Sequence, residues 1–454
     1  MTLPLFWPSA AIRKDLKVYV MHFKIQPGGT LKGEARVPGD KSISHRAIML
    51  GALAEGTSHV NGFLEGEDAL ATLAAFRAMG VAIEGPENGS VTVHGVGLHG
   101  LKAPDHALDL GNAGTGMRLL CGLLAGQTFD TELTGDASLC SRPMGRVIDP
   151  LTMMGAKIDS AEGGRPPLTI HGGQPLQGIH YDLPMASAQV KSCCLLAGLY
   201  SQGRTSVTEP APTRDHTERM LRGFGYPVDS GGDEISLQGG GSLQACDIEV
   251  PADISSATFF LVGASIAPGS DLLLAHVGIN PTRIGVINIL RLMGADITLQ
   301  NEREVGGEPV ADIRVRYAPL HGIEIPLDQV PLAIDEFPAI FIAAACAEGR
   351  TVLHGAEELR VKESDRIAAM AEGLSTLGVT NEVLDDGIII DGGDMGGGVI
   401  ATYNDHRIAM SFAIAALRAS GEITVLDCDH VATSFPGFDT LSRRLGLSIS
   451  SVEG

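Results

Sequence analysis

The sequence predicts a mixed α/β (α+β) protein of two lobes, each assembled from three copies of one small module. Three observations carry that prediction. A phrase recurs six times in the 454 residues: an Ala/Leu/Gly-rich helical stretch, a glycine, a short β run, a polar loop, a second helix and a closing Gly-small-x-Ile/Val. The opening glycines are Gly56, Gly126, Gly203, Gly269, Gly349 and Gly421, spaced 70, 77, 66, 80 and 72 residues apart; the closing ones are Gly80, Gly155, Gly225, Gly294, Gly378 and Gly446. The period is too long for ordinary short solenoid repeats, and two helix signals with several short strands per copy call for helices packed on mixed sheets. Length is the second observation, since about 150 residues per domain allows two or three domains. The third is a pair of breakers, Val37-Pro38-Gly39 before the first copy and Val250-Pro251-Ala252-Asp253 between copies three and four. Boundaries at both give lobe I as residues 1–39 plus 252–454 and lobe II as 40–251, with the N-terminal strand joining the C-terminal lobe and the chain crossing twice.

Along the chain, residues 1–20 include Trp7, Pro8, Arg13, Lys14 and Asp15 and lack both a long apolar stretch and a small-residue cleavage site. They do not read as a signal peptide. An extended or non-native terminus is expected there, with Met21 an alternative start. The helix starts that follow are the informative positions, because a helix N-terminus carries about half a positive charge and disfavours Lys and Arg. In Gly39–Arg46 the serines are expected to cap a helix through Ala47–Leu53, yet Lys41 and Arg46 flank them. Leu110–Arg118 is a glycine-rich turn entering a helix; its glycine order differs from a dinucleotide fingerprint, and the chain has no nucleoside-triphosphate loop. Ser141-Arg142-Pro143, with Pro expected in a first turn, Thr213–His216, Lys362–Arg366 and Asn404–Arg407 complete the series. Asp335-Glu336 precedes a helix opened by Phe337-Pro338.

If the repeats converge, Lys41, Arg46, Arg142, Arg214, Lys362, Arg366 and Arg407 face one another with helix dipoles behind them, a site suited to phosphate and carboxylate. A phosphate monoester carries about −1.5 to −2 charges, so seven cations suit two phosphates and one or two carboxylates. This cluster must act locally, because 33 Lys+Arg against 54 Asp+Glu leave −21, which excludes general nucleic-acid or membrane binding. No apolar run reaches the ~18 residues of a membrane span. Seven scattered cysteines, without C-x-x-C or metal-ligand spacing, read as reduced thiols of a cytoplasmic protein with no metal site. Lys41, Asp335 and Glu363 are the groups that could move protons to and from a held substrate.

Gly39–Arg46 (GDKSISHR), Leu110–Arg118 (LGNAGTGMR), Gly135–Arg146 (GDASLCSRPMGR), Ala186–Lys191 (ASAQVK), Arg360–Arg366 (RVKESDR) and Asp405–Met410 (DHRIAM) together resemble the 5-enolpyruvylshikimate-3-phosphate synthase family, from about residue 25 to the end. ASAQVK, Ile334-Asp335-Glu336 and Thr433-Ser434-Phe435-Pro436 are most similar to the bacterial class II type. The resemblance implies the two-lobed enolpyruvyl transferase fold, an inside-out α/β barrel with three βαβαββ repeats per lobe. It implies enolpyruvyl transfer from phosphoenolpyruvate to the 5-hydroxyl of shikimate 3-phosphate, with phosphate released and no metal or organic cofactor. A monomer open to inhibition by glyphosate is expected. By motif position, Lys41, Ser42, Arg46, Ser187, Ala188, Gln189, Arg214, Asp335 and Lys362 would bind shikimate 3-phosphate, on the lobe II side. Lys41, Gly114, Arg142, Gln189, Arg366 and Arg407 would hold phosphoenolpyruvate, with acids and cations supplied from lobe I. Lys41, Asp335 and Glu363 would be catalytic.

Two departures from the family pattern stand out. Thr433 occupies a slot that is Lys in members of the other class, and Gly114 stands where glyphosate-tolerant class II relatives carry Ala. A methyl at Gly114 is expected to obstruct the inhibitor more than the shorter substrate. The rival readings are a transferase acting on UDP-N-acetylglucosamine, whose catalytic Cys context neither Cys121 nor Cys140 matches, and a non-catalytic phospho-metabolite sensor, which leaves Asp335 and Glu363 without a task.

Overall fold

The computed structural model describes residues 20–453; the expected extended terminus lies outside them except for Val20. Six small sheets repeat one topology. In each, a short strand or bridge runs parallel to a neighbour, which leads across the sheet to an antiparallel pair. Leu108–Asp109, Thr131–Thr134, Arg165–His171 and Lys157–Ala161 form one such sheet. With the helices Gly114–Ala125 and Gly145–Met153, its strands follow the chain order βαβαββ, interrupted only by the short helix Ala137–Ser141. All six closing glycines adopt positive φ, from 76° to 119°, and end a helix. The repeat is therefore legible as glycine because that left-handed position penalises any residue with a Cβ.

Two hydrophobic cores result. One draws on residues 23–37 and 252–449, the other on 43–250. The N-terminal strand Met21–Gly29 lies between Ile423–Val425 and Leu447–Glu453, so it completes the last sheet of the C-terminal core. Helices fill the inside of each core. Every residue of Ile254–Ile266 and of Phe337–Ala345 is buried, and only Arg407 of His406–Ala415 is not. Helices apolar on all sides need such a position. Lys41–Leu53, Gly114–Ala125 and Ala188–Gly198 form the equivalent trio of the other lobe.

The chain passes between the cores twice, at 38–40 and 251–253. There Asp40 N donates to Pro251 O at 2.8 Å and Asp253 N to Pro38 O at 2.9 Å. A Cβ at Gly39 would sit 1.8 Å from Gly62 O, so only glycine fits this crossing. Among the described residues no helix is long and apolar enough to cross a membrane. All seven cysteines are unpaired.

The inner helices leave some contacts no room. A Cβ on Gly122 would lie 2.2 Å from Cys193 O on the facing helix, whereas one on Gly223 meets nothing within 4 Å. Gly122→Ala is therefore expected to destabilise by about 1–3 kcal/mol through overpacking. Gly223→Ala should be neutral or stabilise by up to about 1 kcal/mol through helix propensity. Denaturant midpoints for both variants check the contrast.

Candidate active site

The helix ends differ from the sequence reading in two places. Asp40 caps the helix Lys41–Leu53, its Oδ1 accepting from Ile43 N at 2.9 Å. The helix begins earlier than the serines require, so Ser42 and Ser44 are helical residues, and Ser44 Oγ instead accepts from Leu64 N at 3.0 Å. Arg142 does not open a helix with Pro143. It follows the short helix Ala137–Ser141 as its C-cap, and the next helix starts at Gly145. The other starts hold: Asp215, Asp365 and Asp405 immediately precede His216–Gly223, Arg366–Thr376 and His406–Ala415. A further helix, Ala188–Gly198, is capped by Ser187.

These ends meet at the cleft between the lobes. Arg214 of one lobe pairs with the Asp335 carboxylate of the other. Asp335 Oδ1 also lies 3.3 Å from both Lys362 Nζ and Arg366 NH1, and Arg407 NH1 donates to Asp335 O at 2.8 Å. Arg366, only 1% exposed, reaches Glu363 Oε2 at 2.6 Å and Asp405 Oδ2 at 2.8 Å. Glu363 Oε1 in turn lies 3.6 Å from Arg142 NH1, a second contact between lobes. Lys41 and Arg407, from different lobes, line one small cavity with His406, Asp253, Ser255 and Ser434. Gln189 donates to Thr115 Oγ1 at 2.9 Å and accepts from Arg118 NH1 at 2.8 Å, joining Ala188 and Ser187 to the turn that begins at Gly114.

Arg46 sits deeper than the rest. Its Nε donates to Thr217 Oγ1 at 2.6 Å and its NH2 to Ser192 Oγ at 2.8 Å, behind Ser42, whose carbonyl accepts from NH1 at 3.0 Å. A second, more apolar cavity lined by Ile43, Met220, Phe224, Ile248 and Val305 contains none of the seven cations.

The cations are not left facing one another bare, as the sequence reading supposed. Lys41 Nζ lies 2.7 Å from Asp68 Oδ2 and Lys362 Nζ 2.5 Å from Glu358 Oε1, beside the Asp335, Glu363 and Asp405 pairs. A buried cation without a counter-charge costs several kcal/mol, so acids both from distant segments (Asp68, Asp405) and from within four residues of their partners (Glu358, Glu363) occupy the site. Asp68 and Glu358 lie outside the family-like motifs, and Asp405 and Arg118 lie inside them as a helix cap and a helical residue, so the sequence marks none of the four as a site residue.

Burial would raise the Asp335 and Glu363 carboxyls, but the cations prevail and hold both well below the usual range. Lys362, Arg214, Arg407 and Arg366 act on Asp335, and Arg366, Arg142 and Lys41 on Glu363. Burial also disfavours a charged Lys362, yet Asp335 and Glu358 raise its pKa. His406 is driven well below its ordinary value by burial and by Lys41 and Arg407, so it is neutral. Burial lowers the Arg118 pKa to about 10, with Arg142 adding to the shift. Among the described residues no three His, Cys, Asp or Glu side chains could hold a metal ion.

Comparison with known proteins shows the family and the fold. The model of the family described as EPSP synthase (3-phosphoshikimate 1-carboxyvinyltransferase) matches residues 25–441. The chain belongs to that family. It is 69% identical over 431 residues to the 3-phosphoshikimate 1-carboxyvinyltransferase of Alkalilimnicola ehrlichii, covering 95% of this chain and 97% of that one. The protein of the same name from Methylococcus capsulatus is 66% identical, with 94% and 98% covered. The solved EPSP synthase from Acinetobacter baumannii superposes with a TM-score of 0.87 at 62% identity, over 95% of this chain and all of that one (100%). The enolpyruvyl transferase NikO from Streptomyces tendae, at 19% identity and a TM-score of 0.78 over 96% and 100%, shares the fold.

The depressed acids make stability pH-dependent with a definite sign. An unfolded carboxyl titrates near 4. A lower folded value contributes stability that is complete above about pH 5 and is lost as pH falls toward the folded pKa. Glu363→Gln is thus expected to cost about 1–3 kcal/mol at pH 7, as loss of a charged hydrogen bond does, and less at pH 3. Unfolding midpoints of the two proteins should converge as pH falls.

Proposed function

We propose that this chain transfers the enolpyruvyl group of phosphoenolpyruvate to the 5-hydroxyl of shikimate 3-phosphate and releases phosphate. The observation that carries the reading is the pairing of Arg214 with Asp335 and of Arg142 with Glu363 across one cleft, with Lys362, Arg366 and Arg407 around them. Shikimate 3-phosphate is assigned to Lys41, Ser42, Arg46, Ser187, Ala188, Gln189, Arg214, Asp335 and Lys362, mostly on the lobe formed by 40–251. Phosphoenolpyruvate is assigned to Lys41, Gly114, Arg142, Gln189, Arg366 and Arg407. Each substrate brings one phosphate and one carboxylate, which matches the cation supply.

The chemistry is addition followed by elimination. Asp335, ringed by four cations, stays ionised and accepts the 5-hydroxyl proton. Glu363 starts ionised, but anions sharing Arg142 and Lys41 weaken what depresses its pKa, so it becomes able to take up a proton and deliver it to the enol methylene. Lys41 lies close enough to act on Glu363 electrostatically and completes the proton-carrying set. The hydroxyl oxygen attacks the central carbon to give a tetrahedral ketal. The Glu363 carboxylate then takes back a methyl proton as the carbon–oxygen bond to phosphate breaks, and the phosphate leaves with the proton held by Asp335. Closure of the lobes over both substrates excludes water from this step.

The reading extends to the bacterial class II type, on the wording of ASAQVK, Ile334–Glu336 and Thr433–Pro436. It also extends to a cytoplasmic monomer, every assigned residue coming from one chain, and to glyphosate as a competitor for the phosphoenolpyruvate side. Incubation with both substrates and measurement of phosphate release tests the function, with UDP-N-acetylglucosamine as the control acceptor. Release with that acceptor alone would favour the sister reaction, and binding without turnover would favour a sensor. Lys41→Met and Glu363→Ala should each lower kcat by about 10²–10⁴-fold, the range of a proton-transfer group, with calorimetry showing a folded protein.

A Cβ at Gly114 would lie 3.1 Å from Arg142 NH1 and 3.2 Å from Arg118 NH1, so the methyl of Gly114→Ala presses on a guanidinium assigned to the substrate. The variant should raise the glyphosate inhibition constant more than the KM for phosphoenolpyruvate. Equal rises in both would remove the steric argument.

A further inference from the structure

We propose that the loop Asn280-Pro281-Thr282-Arg283 is the positioning element that holds Lys41 and Arg214 in register with Asp335. The proposal rests on the function assigned above. The loop belongs to the core of residues 252–449, yet the side chains of Asn280 and Arg283 reach the residues flanking both cations of the other lobe. Arg283, 3% exposed, pairs with Asp40, the cap residue directly before Lys41. Its NH2 also lies 3.0 Å from Asp253 Oδ1 and donates to Ser255 Oγ at 2.7 Å. Asp40 and Asp253 sit on the two crossings between lobes, and Asp253 Oδ2 accepts from Lys41 N at 3.3 Å. Ser255 Oγ donates to Glu336, the neighbour of Asp335. One guanidinium thus ties the backbone of Lys41 to the segment that carries Asp335.

Asn280 makes the matching contact at the second cation. Its Nδ2 donates to Asp215 Oδ1 at 2.7 Å and to Glu308 Oε2 at 2.9 Å, while its Oδ1 accepts from Thr282 N at 2.9 Å and Thr282 Oγ1 at 2.8 Å. Asp215 directly follows Arg214 and opens the helix His216–Gly223. Arg283 N donates to Asn280 O at 2.8 Å, so the two side chains are held by one tight turn. Burial opposes the Arg283 charge, but Asp40, Asp253, Glu336 and Asp335 more than offset it and raise its pKa. Because the proposed chemistry needs Arg214 at Asp335 and Lys41 beside Glu363, a rigid turn gripping both helix starts couples the crossings between lobes to the reacting groups.

Asn280→Ala and Arg283→Lys test the loop. Removing Arg283 outright would strand two buried acids, whereas Lys keeps a charge. Asp215 and Glu308 keep Arg219 and His216 as partners without Asn280. Asn280→Ala should raise the KM for shikimate 3-phosphate about tenfold, the effect of one charged hydrogen bond, with the KM for phosphoenolpyruvate and kcat changing far less. Arg283→Lys should lower kcat by about the same factor. Amide exchange measured by mass spectrometry should rise at 41–46 in Arg283→Lys and at 215–221 in Asn280→Ala, with the remaining protein unchanged. Wild-type kinetics and exchange in both variants, or a lower unfolding midpoint with unaltered kinetics, would overturn the proposal. If the wild-type chain releases no phosphate, the functional assignment falls, and exchange still decides whether the loop grips the two helix starts.

Discussion

The pair formed by Arg214 and Asp335 is the contact on which the site depends. It joins two separate hydrophobic cores, and neither partner is made by the same repeat as the other. Charge at this depth is tolerable only when it is compensated, so one such pair dictates a whole network. Lys362, Arg366 and Arg407 converge on the Asp335 segment, Glu363 balances Arg366 and Arg142, and Asp405 holds Arg366 from behind. In the function proposed above, these ion pairs occupy the anion site, and an arriving phosphate or carboxylate shares cations that already have acid partners.

That sharing explains how a chain of net charge −21 can receive acidic metabolites. The attraction is local and depends on helix starts and guanidinium groups gathered within a few ångströms, while the exterior keeps its negative field. It also gives the carboxylates changing work. In the mechanism proposed above, Glu363, held ionised chiefly by Arg366 and Arg142, loses part of that support when a substrate shares the same cations. Binding and proton transfer are then parts of one electrostatic rearrangement.

The architecture supplies the rigidity this needs. Inner helices apolar on all sides anchor their starts in two cores, and the sheets surround them. The crossings at 38–40 and 251–253 are short and hydrogen-bonded to each other, which limits how the lobes can move. Arg283 lies where both crossings meet the site.

Local chemistry made much of this readable in one dimension. The six closing glycines report left-handed helix ends, and cations beside helix starts report an anion site, because both are penalties a chain bears only for a reason. The motifs around Lys41, Gly114, Gln189, Lys362 and Arg407 carried the family resemblance without any coordinates. What the tertiary structure alone decided is pairing. Asp68 and Asp405 look like ordinary surface or cap acids along the chain, and Arg283 belongs to no motif, yet burial gives each a specific opposite charge to satisfy. The same holds for Asp40 displacing the serines as cap, since the backbone path at the crossing sets where that helix begins. Propensity and periodicity are properties of neighbours in sequence; desolvation of a charge is a property of neighbours in space.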